Sequence, residues 1–371
     1  MSQQDRVGRR QALQWLAGGV LLGSQGDAPA LLVRPDTRLR FPQDFGAHPA
    51  LRTEWWYLTG WLAPPGAPPD AQPQWGFQLT FFRSRTGLGA GSRSAFAPRQ
   101  LIVLHAALTD VRGQRLWHTQ QVARAGLGVA DAAEGDTQVH LREASLRRLP
   151  SGVYDGVAAG PDFRLQLQAR PTQPLMLQGQ AGYSRKGPQP AQASHYYSEP
   201  QLAVSATLRA QGSADRPLQG RAWLDHEWSE TVMDAQAVGW DWIGMNLDDG
   251  SALMAFQLRD REGRAVWAGG SWRTPGGEVQ AYTPEQVRWT PHPDATWVSA
   301  RTGARYPTTW QLEVAGRRHT VQALVRDQEQ DTRGSTGTAY WEGLSALHDG
   351  QGRRVGWGYL EMTGYAGQLR L

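Results

Sequence analysis

Four short stretches combine aromatic rings with ionisable groups: Glu54-Trp55-Trp56-Tyr57, His195-Tyr196-Tyr197-Ser198, Asp225-His226-Glu227-Trp228 and Trp240-Asp241-Trp242. Such residues suit a pocket that holds an apolar molecule and moves a proton. Successive side chains of a strand point to opposite faces. Trp223, Asp225 and Glu227 therefore share one face, and Leu224, His226 and Trp228 share the other. An imidazole beside an indole is either a core histidine or a pocket histidine, and for a single His the core reading is the commoner. Asp241 is in register with the apolar Ile243, Met245 and Leu247, while Trp240 and Trp242 point the other way. Burial there raises a carboxyl pKa, and a carboxyl protonated at neutral pH can act as a general acid. The alternative is a structural carboxylate paired with an arginine or with strand-end amides; the residues alone favour neither.

Other chemistries lack their residues. The chain has no Cys, which removes disulfides, thiolate zinc sites and cysteine nucleophiles. There is no Gly-x-Ser-x-Gly elbow and no His-Glu-x-x-His. Asp225-His226-Glu227 could ligate a metal only with distant help, from His105 or His195. Gly87-x-Gly89-x-Gly91 precedes no helical pattern and reads as a loop. Neither a metal nor a cofactor is expected.

The elements that must position these residues are strands. The chain has 371 residues with 43 Gly and 23 Pro, and at ~100–200 residues per domain it holds about two domains. Its 38 basic residues oppose 34 acids, and all but Lys186 are arginine. They are scattered, so no nucleic-acid stripe is expected. No apolar run is long enough for a spanning helix. Runs such as Trp55–Leu62, Trp75–Phe82, Leu101–Thr109, Phe163–Ala169 and Leu202–Ala210 read as strands. Ala222–Trp228, Trp240–Asn246, Ala252–Arg259, Ala265–Trp272, Thr308–Val314, His319–Leu324 and Val355–Thr363 continue the pattern. Asp248-Asp249-Gly250 between two alternating stretches predicts a hairpin. Leu108-x-Asp110-x-x-Gly113-x-x-x-Trp117 recurs as Leu258-x-Asp260-x-x-Gly263-x-x-x-Trp267. Leu347-x-Asp349-x-x-Gly352 repeats its first part, with Trp357 one residue late. The recurrence predicts two similar barrels, residues 31–230 and 231–371. Residues 1–30 read as an export signal: Arg9-Arg10, an apolar stretch from Ala12 to Leu22, then Ala28-Pro29-Ala30. The mature chain is expected in the periplasm.

The aromatic motifs carry a resemblance. His48-Pro49 leading to Glu54-Trp55-Trp56-Tyr57-Leu58-Thr59-Gly60, His195-Tyr196-Tyr197-Ser198-Glu199-Pro200, Gly220-x-Ala222-Trp223-x-Asp225-His226-Glu227-Trp228, Gly239-Trp240-Asp241-Trp242, Tyr340-Trp341-Glu342-Gly343 and Gly358-Tyr359-Leu360-Glu361-Met362-Thr363-Gly364-Tyr365 span the chain from about residue 40 to its end. The sequence resembles the two-domain lipocalin-like proteins grouped with carotenoid 1,2-hydratase and the AttH-like predicted secreted hydrolases. The resemblance implies an all-β fold of two calyx-like β-barrels packed together around an apolar pocket. For the hydratases it implies cofactor-free addition of water to a terminal alkene, with an Asp as the proton donor. The matching positions are Asp241, His226, Trp240 and Trp242, with Tyr57 or Tyr197 as hydroxyl donors. Glu54, Trp55, Trp56, His195, Tyr196, Asp225, Glu227 and Trp228 then become ligand-binding residues. The hydratase pattern continues Asp-His with Asn, whereas here Glu227-Trp228 follows, as in the AttH-like branch. Three readings result. The first is binding or carriage of a hydrophobic molecule, serving an envelope ABC transporter. Hydration comes second, and hydrolysis through Glu227 or His226 third.

Overall fold

The computed structural model describes residues 33–68, 71–88, 91–92, 94, 96–231 and 233–368, so the export-signal reading of residues 1–30 lies outside it. The structure is all-β, and the only helices among the described residues are the 3-10 turns Gln43–Phe45 and Pro284–Gln286. Among the described residues no helix is long and apolar enough to cross a membrane.

The first sheet is formed by β1 (Thr53–Ala63), β2 (Trp75–Arg85), β3 (Gln100–Asp110), β4 (Arg115–Arg124), β5 (Ala130–Ala132), β6 (Gln138–Leu141), β7 (Ala144–Arg148), β8 (Tyr154–Ala159), β9 (Phe163–Arg170), β10 (Met176–Leu177), β11 (Tyr183–Arg185), β12 (Ala193–Ala210) and β13 (Arg216–Ser229). Its order is β4-β3-β2-β1-β13-β12-β9-β8-β7-β6-β5, with β10 and β11 added on β12. This sheet curls nearly closed around Leu58, Phe77, Leu79, Leu104, Leu146 and Leu165.

The second half supplies β14 (Gly239–Leu247), β15 (Ala252–Arg259), β16 (Ala265–Arg273), β17 (Val279–Tyr282), β18 (Val287–Pro291), β19 (Thr296–Val298), β20 (Arg305–Pro307), β21 (Thr309–Val314), β22 (Arg317–Ala323), β23 (Glu329–Asp331), β24 (Ala339–His348) and β25 (Arg354–Met362). Here the order is β17-β16-β15-β14-β25-β24-β22-β21-β18, with β23 on β24 and β19–β20 as a separate ribbon. Ile243, Met245, Leu253, Leu312, Val321 and Leu360 form its core. A third apolar cluster, with Tyr57, Tyr196, Trp223, Trp242, Phe256 and Leu344, joins residues of both sheets.

Local chemistry accounts for the hairpins. Gly250 takes a φ of +88°, and Leu247 N–H bonds Ser251 O to close the predicted turn. In the recurring motif the aspartate caps its own turn: Asp110 accepts from Gly113 N–H, Asp260 from Glu262 and Arg264 N–H, and Asp349 from Gln351 and Arg353 N–H. This is Asx-turn chemistry, which is why a polar residue recurs where each strand ends.

The edge-side strands alternate as a half-solvated sheet should. In β9, Phe163, Leu165, Leu167 and Ala169 are buried, while Arg164, Gln166, Gln168 and Arg170 are less so. By contrast all eight residues of β15 are buried, because one face meets its own core and the other meets the first sheet. Gly76 and Gly244 permit that approach. A Cβ on Gly76 would lie 2.6 Å from the Tyr359 hydroxyl, and one on Gly244 would lie 2.5 Å from the Trp242 ring and 2.9 Å from Trp223.

Several features depart from the sequence reading, and β4 and β24 lie outside the strand runs it expected. Short, polar β5–β8 were not expected as strands, since their alternation is only three to six residues long. The strand expected at Leu202–Ala210 begins at Ala193, running through a bulge between Glu199 and Leu202 where Gln201 adopts a φ of +60°. That bulge hides the continuity of β12 and places His195 to Ser198 beside β13.

Candidate active site

Strand alternation sorts the aromatic motifs onto two faces. Trp55 and Tyr57 of β1, Tyr196 of β12, and Asp225 and Glu227 of β13 line a cavity between the sheets. Its far wall is Trp240 and Trp242 of β14, Phe256 and Leu258 of β15, Tyr340 and Glu342 of β24, and Glu361 of β25. Gln78, Phe82 and Lys186 complete it. Register makes the walls orderly. Tyr57 and Ser198 both pair with Asp225, and Trp55 and Tyr196 both pair with Glu227. On the other sheet Phe256, Trp242, Glu361 and Glu342 form one cross-strand row.

Four carboxyl groups face this cavity. Asp225 is buried and accepts from Tyr196 Oη–H (2.6 Å), Ser198 Oγ–H (2.5 Å) and Trp223 Nε1–H (2.6 Å). Desolvation nonetheless dominates those bonds and pushes its pKa up to about 7. Glu227 accepts from Ser194 and pairs with Lys186 Nζ at 2.9 Å. Glu361 is partly exposed, and its desolvation, with the charges of Asp225 and Glu227, raises it to about 8. Glu342 is 1% exposed; no donor among the described residues meets either of its oxygens in good hydrogen-bond geometry, although the Tyr57 and Tyr340 hydroxyls stand beside it. Burial and the neighbouring Glu361 hold its pKa well above the usual carboxylate range. Adjacent carboxyls in an apolar site cannot both ionise cheaply, so the pair titrates as a unit. The Tyr57 hydroxyl beside it has no partner in good geometry other than this carboxyl group.

These raised values have a stability consequence. A carboxyl whose pKa is higher folded than unfolded binds more protons in the native state, so stability falls as pH rises from the unfolded value of ~4.3 towards the folded one. Urea midpoints should therefore decline between about pH 6.5 and 8, above the range in which the buried histidines, held low by desolvation, add stability as pH rises. Glu361→Gln should flatten that decline, because Glu361 titrates near 8. An unchanged slope would contradict the assignment.

The opposite faces of the same strands build a second polar cluster. Glu54 Oε1 meets His48 Nδ1 at 2.7 Å and His226 Nε2 at 2.9 Å, and Glu54 Oε2 accepts from Arg83 Nε at 2.6 Å. His48 N–H also donates to this carboxylate. Although burial raises it, these partners hold Glu54 far below its usual range. Burial pushes His226 down to about 4, and its Nδ1 lies 3.1 Å from Tyr197 Oη. His226 stacks on Trp56, and His48 on Trp228 at 3.9 Å. His48, Glu54 and His226 offer ligand atoms within 4.8 Å of one another, the one such group among the described residues. Both imidazoles already face the same carboxylate oxygen, and Arg83 supplies the countercharge. The trio is thus self-satisfied as an ion-pair network. His105, considered above as a metal helper, instead bonds Tyr340 Oη (3.0 Å) and Ser335 Oγ (2.8 Å).

The structure therefore divides the residues proposed from sequence. Trp55, Tyr57, Tyr196, Asp225, Glu227, Trp240 and Trp242 meet in the cavity. Glu54, Trp56, His195, Tyr197, His226 and Trp228 lie on the other face, with His195 Nδ1 unpartnered. Asp241, the expected acid, is also turned away from the cavity. Its carboxylate pairs with Arg259 Nε at 2.6 Å and accepts from Gln257 (2.7 Å) and Tyr365 (3.0 Å). Desolvation raises its pKa, but the structural-carboxylate alternative describes its geometry. Glu342, Glu361, Tyr340 and Lys186 were not assigned roles. The first three stood within the aromatic motifs, and Lys186 is the one lysine of the chain; those were the available signals.

A two-sheet lipocalin-like architecture with a ring-lined, carboxyl-rich cavity is the class of protein that fold and site define. Within it, the chain belongs to the AttH-like family, whose profile matches residues 32–365. It is similar to the crystal structure of an AttH protein from Nitrosomonas europaea, with 46% identity and a TM-score of 0.82, covering 90% of this chain and 99% of that one. Kievitone hydratase from Nectria haematococca shares the fold at 13% identity and a TM-score of 0.64, covering 92% of this chain and 95% of that one. No curated protein sequence matches.

Proposed function

We propose that the protein binds an apolar molecule containing a carbon–carbon double bond in the inter-sheet cavity and hydrates it without a cofactor, Glu342 donating the proton. The observation that carries this reading is Glu342 itself: a buried carboxyl group, with no charged partner and no donor in good geometry among the described residues, on the wall of a cavity lined by rings. In the hydration step the Glu342 proton passes to the less substituted alkene carbon, and the more substituted carbon becomes a carbocation. Ring faces such as Trp242 and Trp240 stabilise that charge by ~0.5–2 kcal/mol each. Water adds to the cation and returns one proton to the Glu342–Glu361 pair, which restores the acid. Asp225, held by three donors, positions Tyr196, whose hydroxyl also accepts from Trp242 Nε1–H at 3.2 Å. Sharing a fold with a hydratase adds no chemistry by itself; the support is the cavity. The twin-arginine-like start of the chain supports a periplasmic location as part of this proposal.

Mass spectrometry of a solvent extract from the natively purified protein tests the reading. The expected result is an unsaturated molecule together with its mass-plus-water partner, the added oxygen carrying label when turnover proceeds in heavy-oxygen water. A retained molecule that never gains water would replace hydration with binding or carriage.

A further inference from the structure

The cavity already solvates one ammonium group. Lys186 Nζ lies 2.9 Å from Glu227 Oε1, 4.7 Å from the centre of the Tyr196 ring and 4.3 Å from that of Phe256. Carboxylate plus ring faces is the combination that recognises organic cations. The same combination recurs at the other end of the row Phe256–Trp242–Glu361–Glu342. At ~4.8 Å per strand, Glu342 stands about 14 Å from Phe256, beyond the reach of the lysine's own contacts. Glu342 and Glu361 face each other there, with Trp240 and Trp242 on the same cavity wall and Tyr57 on the wall opposite. Among the described cavity-lining residues Lys186 is the one cation. The Glu342 oxygens have no charged partner and no donor in good geometry among these residues, their polar neighbours being the Tyr57 and Tyr340 hydroxyls.

We propose that the Glu342–Glu361 end of the cavity is a binding subsite for an organic ammonium group, so that hydrophobic amines and quaternary ammonium compounds are preferred ligands. The proposal rests on the cavity being the ligand site, as above, but not on the hydration step. An ammonium group there takes the place of the carbon that becomes cationic. It requires at least one of the two carboxyls to ionise, so binding releases a proton and tightens as pH rises. The other ionisable groups facing this space are Tyr57 on β1, Tyr196 on β12, Asp225 and Glu227 on β13, Lys186 just before β12, Tyr340 on β24 and Tyr359 on β25. The tyrosines stay neutral because burial raises them well above 10. The acids are left to carry the pH dependence.

Benzyltrimethylammonium and its uncharged isostere neopentylbenzene make the test, titrated against the full chain by calorimetry and tryptophan quenching. The ammonium compound should bind about tenfold more tightly at pH 8, with proton release seen as a dependence of the heat on buffer. Its advantage should shrink at pH 6. Glu342→Gln and Glu361→Gln should each reduce it towards unity, and the partly exposed Glu361 keeps the test available if the buried variant fails to fold. Equal or tighter binding of the isostere would overturn the cation subsite while leaving the cavity as the ligand site. Failure of both compounds to bind would overturn both.

Discussion

Glu342→Gln is expected to lower alkene hydration by ~10²–10⁴-fold, the range for removing a general acid, while ligand affinity changes little. Glutamine preserves the shape of the side chain and keeps an oxygen for the neighbouring Tyr57 and Tyr340 hydroxyls, so the substitution chiefly removes the proton. It also relieves Glu361 of a neighbour with which it is electrostatically coupled, so the basic limb of any residual pH–rate profile should move. Asp241→Asn serves as the contrast. Because Asp241 is paired with Arg259 on the other face of β14, its loss should reduce stability and leave turnover per folded molecule close to normal. Single-turnover rates and tryptophan-quench affinities measured in parallel separate the outcomes. Wild-type turnover in Glu342→Gln would remove Glu342 from the mechanism, and equal loss of affinity and rate would make it a binding residue.

The largest stability effect is expected from Arg83→Met, at about 3–5 kcal/mol, the usual result of stripping one partner from a buried ion pair. Glu54 would remain fully buried and charged, with only the imidazoles and the His48 amide to replace a guanidinium that also bonds His48 O and Leu51 O. Arg83→Met combined with Glu54→Gln should recover part of the loss, since the uncompensated charge disappears. Urea unfolding gives the measurement, and a change below about 1 kcal/mol would show that the network is not held by this pair. The network should also withstand mild acid. A carboxyl whose folded pKa is depressed contributes stability that is fully present above its unfolded value and is lost only as pH falls through the folded one. For Glu54 that fall lies well below ~4.3.

What was legible in the sequence was local. Asp248-Asp249-Gly250 and the three capped aspartate turns marked hairpins because their backbone requirements are met within a few residues. The two-residue period sorted β13 correctly into Trp223, Asp225 and Glu227 against Leu224, His226 and Trp228. It likewise put Asp241 opposite Trp240 and Trp242.

Which of those faces was the cavity could not be read, since central strands sandwiched between two cores are apolar on both sides. The sequence therefore left Asp241 open between a pocket acid and a structural carboxylate, and Arg259 on the neighbouring strand supplies the ion pair of the second. The Glu342–Glu361 pair depends on something finer still. Counted outward from His348 opposite Arg354, Glu342 would oppose Leu360 and leave Glu361 on the other face. The one-residue register shift after Leu347 brings the two glutamates together instead. The sequence by itself determined many of the strands, the hairpin turns and the division of those strands into two faces, because those follow from contacts between near neighbours. Only the tertiary structure decided which face encloses the cavity and which carboxyls share it, because that depends on pairing register and on the packing of one sheet against another.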